Sequence, residues 1–181
     1  IWSDTEPPRD GGVPAIATVE YTSHARWGGE ERVLGDRLRE GKLHLETGLA
    51  RLDFLNGATV TLQGPAEFEI LSTYKTVLTS GILTASIPES AVGFEVLTPA
   101  MDVVDLGTAF GVSVGGDGET DVCVFEGEVE VSLAEVKDTP QLVREGNAVR
   151  SRPNADSIDT VDYSTERYED AWPVTSGVLQ A

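Results

Sequence analysis

The chain has 181 residues, 40% of them hydrophobic and 24% charged, which is enough for one real core and ordinary for a soluble globular domain rather than a disordered or membrane-embedded one. Thirty-one acids against thirteen bases give a formal net charge of -18, which repels polyanions, argues against nucleic acid as a ligand and favours basic or cationic partners. The lone Cys123 excludes an internal disulfide, no run reaches the roughly 18 to 20 apolar residues of a membrane span, and no signal peptide is present.

Residues 1–14, IWSDTEPPRDGGVP, are rich in proline, glycine and charge and read as a linker or N-terminal arm. Because the chain starts at Ile1 rather than a methionine, it is expected to be an excised piece whose targeting segments lie elsewhere. Residues 15–150 read as the folded body. From Leu43 onward β-favouring runs recur at close to ten-residue spacing, each closed by glycine or proline, from LHLETG, ARLDFLNG and ATVTLQGP through KTVLTSG and LTASIP to DVCVFEG and EVEVS. No segment has helical periodicity. The expected fold is therefore all-β, a single domain of short strands forming a sandwich, a roll or a short β-solenoid.

Alternation assigns faces. In DVCVFEGEVEVSL, Cys123, Phe125, Val129, Val131 and Leu133 share one parity and Glu126, Glu128 and Glu130 the other, so the first set is expected in the core unless Gly127 resets the register. Residues 151–181 lose the pattern and form a C-terminal extension, in which YEDAWPV supplies aromatic anchors to pin the tail to the body or to lead into a further domain.

The stretch VDLGTAFGVSV has glycines at 107 and 111, but it lacks the strand-to-helix context and the lysine of a phosphate-binding loop. It reads as a strand, a glycine corner and a second strand, with Asp105 or Thr108 bonding backbone donors left open by the turn. His24 and His44 are the two imidazoles, and neither has a serine or cysteine context for nucleophilic catalysis. His44 and Glu46 lie two apart on one strand face, which is half of a metal site at most. GGDGETD, residues 115–121, offers alternating oxygens but lacks the EF-hand pattern, and reads as a polar hairpin loop before it reads as a calcium loop. Glu126, Glu128 and Glu130 have the spacing of a carboxylate pair without an opposing wall, which suits solvation and edge protection better than glycoside hydrolysis. No catalytic, cofactor or metal residue is assigned. From Thr76 to Val136 there are eleven acids and no lysine or arginine, so this half is expected to carry a negative field, with Glu126, Glu128 and Glu130 as candidate partner-binding residues.

LETGLARLDFLNGATVTLQGPAEFEI, GFEVLTP, VDLGTAFGVSV, VFEGEVEVS and LVREGNAVR follow one another in an order that resembles the FecR domain of iron-dicitrate-type transmembrane regulators, in its planctomycete-like form. The resemblance spans roughly residues 15–150 and singles out Gly64, Pro65, Asp105, Gly107, Thr108, Phe110 and Gly111 as structural motif positions; Ala109 replaces the acid of the family's DLGTEFG. It implies a non-enzymatic, cofactor-free sensory or relay domain outside the cytoplasmic membrane, anchored to it in the full-length protein. Such a domain meets an envelope signalling protein, and reaches a sigma factor only through a cytoplasmic segment that this chain lacks. The resemblance implies neither nucleic-acid binding nor direct membrane insertion by the domain. The alternative is a carbohydrate-recognition or carbohydrate-active β module.

Overall fold

The computed structural model describes residues 14–136 and 139–171. The expected N-terminal arm, but for Pro14, and the last ten residues of the expected extension lie outside the described residues. The elements in chain order are β1 (Ala17–Trp27), β2 (Arg37–Leu38), β3 (Gly41–Phe54), β4 (Thr59–Ile70), β5 (Lys75–Ser86), β6 (Glu95–Leu97), β7 (Met101–Asp105), β8 (Ala109–Val114), β9 (Thr120–Glu126), β10 (Glu128–Leu133), β11 (Gln141–Arg144), β12 (Ala148–Ser151) and β13 (Asp159–Val161). Two single 3-10 turns, Glu89–Ala91 and Glu166–Tyr168, are the helical elements among the described residues. The all-β expectation holds. None of the described helices is long and apolar enough to cross a membrane.

The frame is one sheet folded along a crease. β1, β3, β4 and β5 run side by side and antiparallel, and their registers shift together, near His24 in β1, between Leu45 and Leu49 in β3 and between Gln63 and Glu67 in β4. Glycine sits on this line because the backbones close on one another there. A Cβ on Gly48 would lie 2.3 Å from His24 O, one on Gly64 2.8 Å from Thr47 Cα, and one on Gly81 2.5 Å from Ala66 Cβ. Gly64–Pro65, a cis peptide, lies on the same line.

Beyond the crease β5 belongs to both limbs. Its first half pairs in parallel with β6, and the sheet continues through β7, β10 and β11. Its second half pairs antiparallel with β8, and the sheet continues through β9, β12 and β13. The two limbs share one core, in which Phe68, Leu78, Val103 and Val131 of the first are buried with Leu52, Leu62, Phe110 and Val122 of the second. Phe54 and Phe94 meet edge to face across it, with ring centroids 5.1 Å apart. Each such fully buried side chain contributes roughly 1.5–3 kcal/mol relative to exposure. Of the three expected architectures, the sandwich and the roll suit a sheet folded onto a shared core and the solenoid does not. A solenoid would stack parallel strands, whereas β5–β6 is the one parallel pair among the described strands.

Three details differ from the expectation. β1 precedes the first expected strand at Leu43. LHLETG and ARLDFLNG are one strand, β3, and KTVLTSG and LTASIP are one strand, β5, because Gly48 and Gly81 bend a strand instead of ending it. The parity also breaks at Gly127. Val122 and Val124 face the main core together with Val129 and Val131, while Cys123 and Phe125 belong to a second cluster on the opposite face of β9.

Candidate functional site

After β6 the chain passes between the limbs three times, from β7 to β8, from β9 to β10 and from β11 to β12, and the first two passages are stacked corners. β7 leaves the first limb at Asp105 and enters the second as β8, turning through Leu106, Gly107 and Thr108. β9 leaves the second limb at Glu126 and returns to the first as β10, turning at Gly127. The Leu106 N–H donates to Glu128 O at 3.3 Å, and a Cβ on Gly127 would lie 2.3 Å from Gly107 O. Gly107 has φ +101°, in the region that favours glycine. The motifs DLGT and FEGE are thus two corners stacked on one another.

Asp105 is the buried centre of that pair. Its N–H donates to Phe94 O at 2.9 Å, its carbonyl accepts from Gly93 N–H at 3.0 Å, and its carboxylate accepts the Thr108 hydroxyl. The second carboxylate oxygen, Oδ2, has no hydrogen-bond partner. Burial pushes the carboxyl up to about 6, against the pull of the Gly107 and Thr108 N–H groups. Phe110, the next motif residue, is fully buried in the core. A hollow of about 310 Å³ beside the corners is lined by Gly107, Thr108, Ala109 and Glu126 together with Gly57 and Ser86.

Gly111 serves the other face of β8. Ala109 and Gly111 point away from the core, and across β9 Cys123 and Phe125 do the same. The C-terminal residues 164–171 lie over this face as a strap. A Cβ on Gly111 would sit 2.6 Å from Tyr168 Cε1 and 2.9 Å from Phe125 Cζ. Tyr168 is 2% exposed and meets Phe125 edge to face at 5.4 Å. The preceding residue, Arg167, places Nη1 2.7 Å from Asp121 Oδ2, and Arg150 of β12 reaches the other oxygen at 2.7 Å. Beside the strap lies a cleft of about 590 Å³, with Asp121, Cys123, Arg150, Asp162, Arg167 and Tyr168 in its walls. Burial pushes the Cys123 thiol up to about 11, so it is protonated at neutral pH. Sequence reasoning located Tyr168 only as an aromatic anchor in the tail, and its seat over Gly111 and Phe125 comes from the fold.

The three candidate glutamates do not form one cluster. Glu126 is exposed at the end of β9 in the second limb, whereas Glu128 and Glu130 share the outer side of β10 in the first. Glu128 is 3.6 Å from Arg144 of the neighbouring β11. The acidic interval as a whole is partly neutralised from outside: Glu95 meets Lys75 at 3.6 Å, and Glu119 meets Arg152 at 2.6 Å and Arg150 at 3.5 Å. Those arginines occupy the carboxylates that a calcium loop at 115–121 would need, and Asp117 caps the Glu119 N–H at 3.0 Å. Glu46 pairs with Arg26 at 3.7 Å, and the His44 ring lies against Gly28. Among the described residues no group of three or more His, Cys, Asp or Glu is placed to hold a metal ion.

The family model "FecR protein" matches residues 44–130, from the start of β3 through both corners into β10. Two crystal structures of a candidate anti-sigma factor from Parabacteroides distasonis share the fold, at TM-scores of 0.60 and 0.58 with 17% and 15% identity. The match covers 73% and 75% of this chain but 64% and 65% of those chains, so it spans less than two thirds of their length. No curated protein matches the chain. The crease, the paired corners and the floor beneath the strap therefore fall largely inside residues 44–130, the segment that matches the FecR family model.

Proposed function

We propose that this chain is the extracytoplasmic sensing and relay domain of a FecR-like transmembrane regulator of an extracytoplasmic-function sigma factor, that it works by protein–protein contact, and that it carries out no catalytic turnover. The observation that carries the reading is the FecR match over residues 44–130. The structural likeness to a candidate anti-sigma factor supports it at the level of fold. So does the use of the most reactive groups: Asp105 and Thr108 are spent on each other inside a turn, and the carboxylates of Glu119 and Asp121 on arginines. Glu126, Glu128 and Glu130, on a chain of net charge -18, suit a basic partner surface.

The test is a reporter driven by the cognate sigma factor in cells carrying the full-length parent. Replacing this domain with an unrelated β domain should uncouple transcription from the inducing signal while leaving the protein in the membrane. Unchanged, signal-dependent output would overturn the reading. So would hydrolysis of a glycan by the purified domain that is lost in Glu126→Gln, Glu128→Gln or Glu130→Gln.

A further inference from the structure

We propose that the outer face of β8 and β9 is a docking cleft for an arginine–aromatic segment of a partner protein, held closed in this structure by the chain's own residues 164–171. The proposal rests on the relay reading and adds its contact surface; it is tested on purified protein, so its failure is distinguishable from a failure of the transcriptional test.

The cis occupant shows what the cleft recognises. Ala109, Gly111, Cys123 and Ala148 keep the floor low, and Phe125 forms an aromatic wall. The space above Gly111 is filled by the Tyr168 ring, with the edge of the Phe125 ring of β9 beside it. One residue before it, a guanidinium meets Asp121, a carboxylate whose side chain is 13% exposed. The guanidinium itself stays 43% exposed, so the pair lies at the rim of the cleft, and an aromatic anchor in a pocket with an arginine beside it is the composition of an interface hot spot.

The strap is fastened by side chains and not by the sheet ladder. The N–H groups of Tyr168, Glu169 and Ala171 donate to Thr165, Glu166 and Tyr168 carbonyls, all within the strap. The Cys123 thiol donates to Ser164 O at 3.6 Å, a weak contact. The Tyr168 hydroxyl, buried where it lines the cleft, makes no well-formed hydrogen bond and has the Arg167 guanidinium as a neighbouring donor, out of good alignment. The cis ligand is therefore an imperfect fit, and a ring with no hydroxyl fits better. A partner segment that offers arginine followed by phenylalanine reproduces both contacts without the poorly bonded group.

The experiment uses the whole chain and labelled peptides in fluorescence anisotropy. Tyr168→Ala frees the ring site while leaving its floor intact, and should bind the peptide STERYEDA at least tenfold more tightly than the unmutated chain does. STERFEDA should bind more tightly still, and STERAEDA and STEAYEDA at least tenfold more weakly. Gly111→Ala also displaces the ring, but it blocks the floor. It should speed alkylation of Cys123 as Tyr168→Ala does, yet bind no peptide. If Tyr168→Ala loses its far-UV β signature, Arg167→Ala replaces it with the same expectation. Equal binding by wild type and the freed variant, indifference to the peptide's arginine and aromatic, or strap exchange into a dimer in place of peptide binding would each overturn the proposal.

Discussion

Tyr168 occupies the space that a side chain on Gly111 would need, 57 positions earlier in the chain. The approach of 2.6 Å between an added Cβ and Tyr168 Cε1 makes glycine at 111 a condition for seating the strap, whereas glycine at 107 is required by the backbone itself at φ +101°. The two glycines of one motif thus answer to different physics. Gly111→Ala is expected to dislodge the ring and lower stability by about 1–3 kcal/mol, read as a shifted urea midpoint with an unchanged β spectrum. Unaltered unfolding would contradict the contact.

Tyr168→Phe removes a buried hydroxyl that makes no well-formed hydrogen bond. Stability should hold or rise by up to about 1 kcal/mol, because the penalty for burying a poorly satisfied group disappears while the ring packing stays. A loss above that amount in thermal or urea unfolding would mean the hydroxyl is bonded in solution.

Gly107→Val must adopt φ +101° and should cost about 1–3 kcal/mol. Gly116→Ala is the control, since an added Cβ there meets nothing within 4 Å, and it should stay within about 0.5 kcal/mol of wild type. Equal melting temperatures in the two variants would remove the structural role assigned to the corner.

These corners were legible in the sequence because glycine and aspartate mark turns locally, and the FecR resemblance rested on such punctuation. What glycine does inside a strand was not legible. Gly48 and Gly81 bend β3 and β5 through close approach to His24 and Ala66, residues of neighbouring strands, and a local reading takes them for strand ends. The parity of Cys123 and Phe125 failed for a related reason: both are buried, as core residues are, but under a strap that the alternation cannot reveal. The acidic interval from Thr76 to Val136 was plain, while its counter-ions Lys75, Arg144, Arg150, Arg152 and Arg167 all lie outside it in sequence and meet it only in the fold.

Asp105 makes the pH prediction. Its folded-state value of about 6 lies above the ordinary 3.8, so the native state holds this proton more tightly than the unfolded chain. The stabilisation from this group is full below pH 3.8, is lost as pH rises through 6, and amounts to about 3 kcal/mol at most. Asp105→Asn keeps the turn's shape and lacks the titration. Its stability relative to wild type should therefore rise between pH 4 and pH 7 in urea titrations, and a difference that stays constant over that range would contradict the assignment.

The account turns on a strap that leaves the body while the sheet stays folded. The direct measurement is native-state hydrogen exchange resolved at residues 164–171 and at β8–β9, with Cys123 alkylation followed under the same conditions. The account predicts that the strap amides and the Cys123 thiol become accessible together through a sub-global opening, well before the β8–β9 amides exchange, and that Tyr168→Ala accelerates the first pair alone. Exchange of strap, thiol and sheet in a single step at the global unfolding free energy would show that the strap is a fixed part of the core and would contradict it.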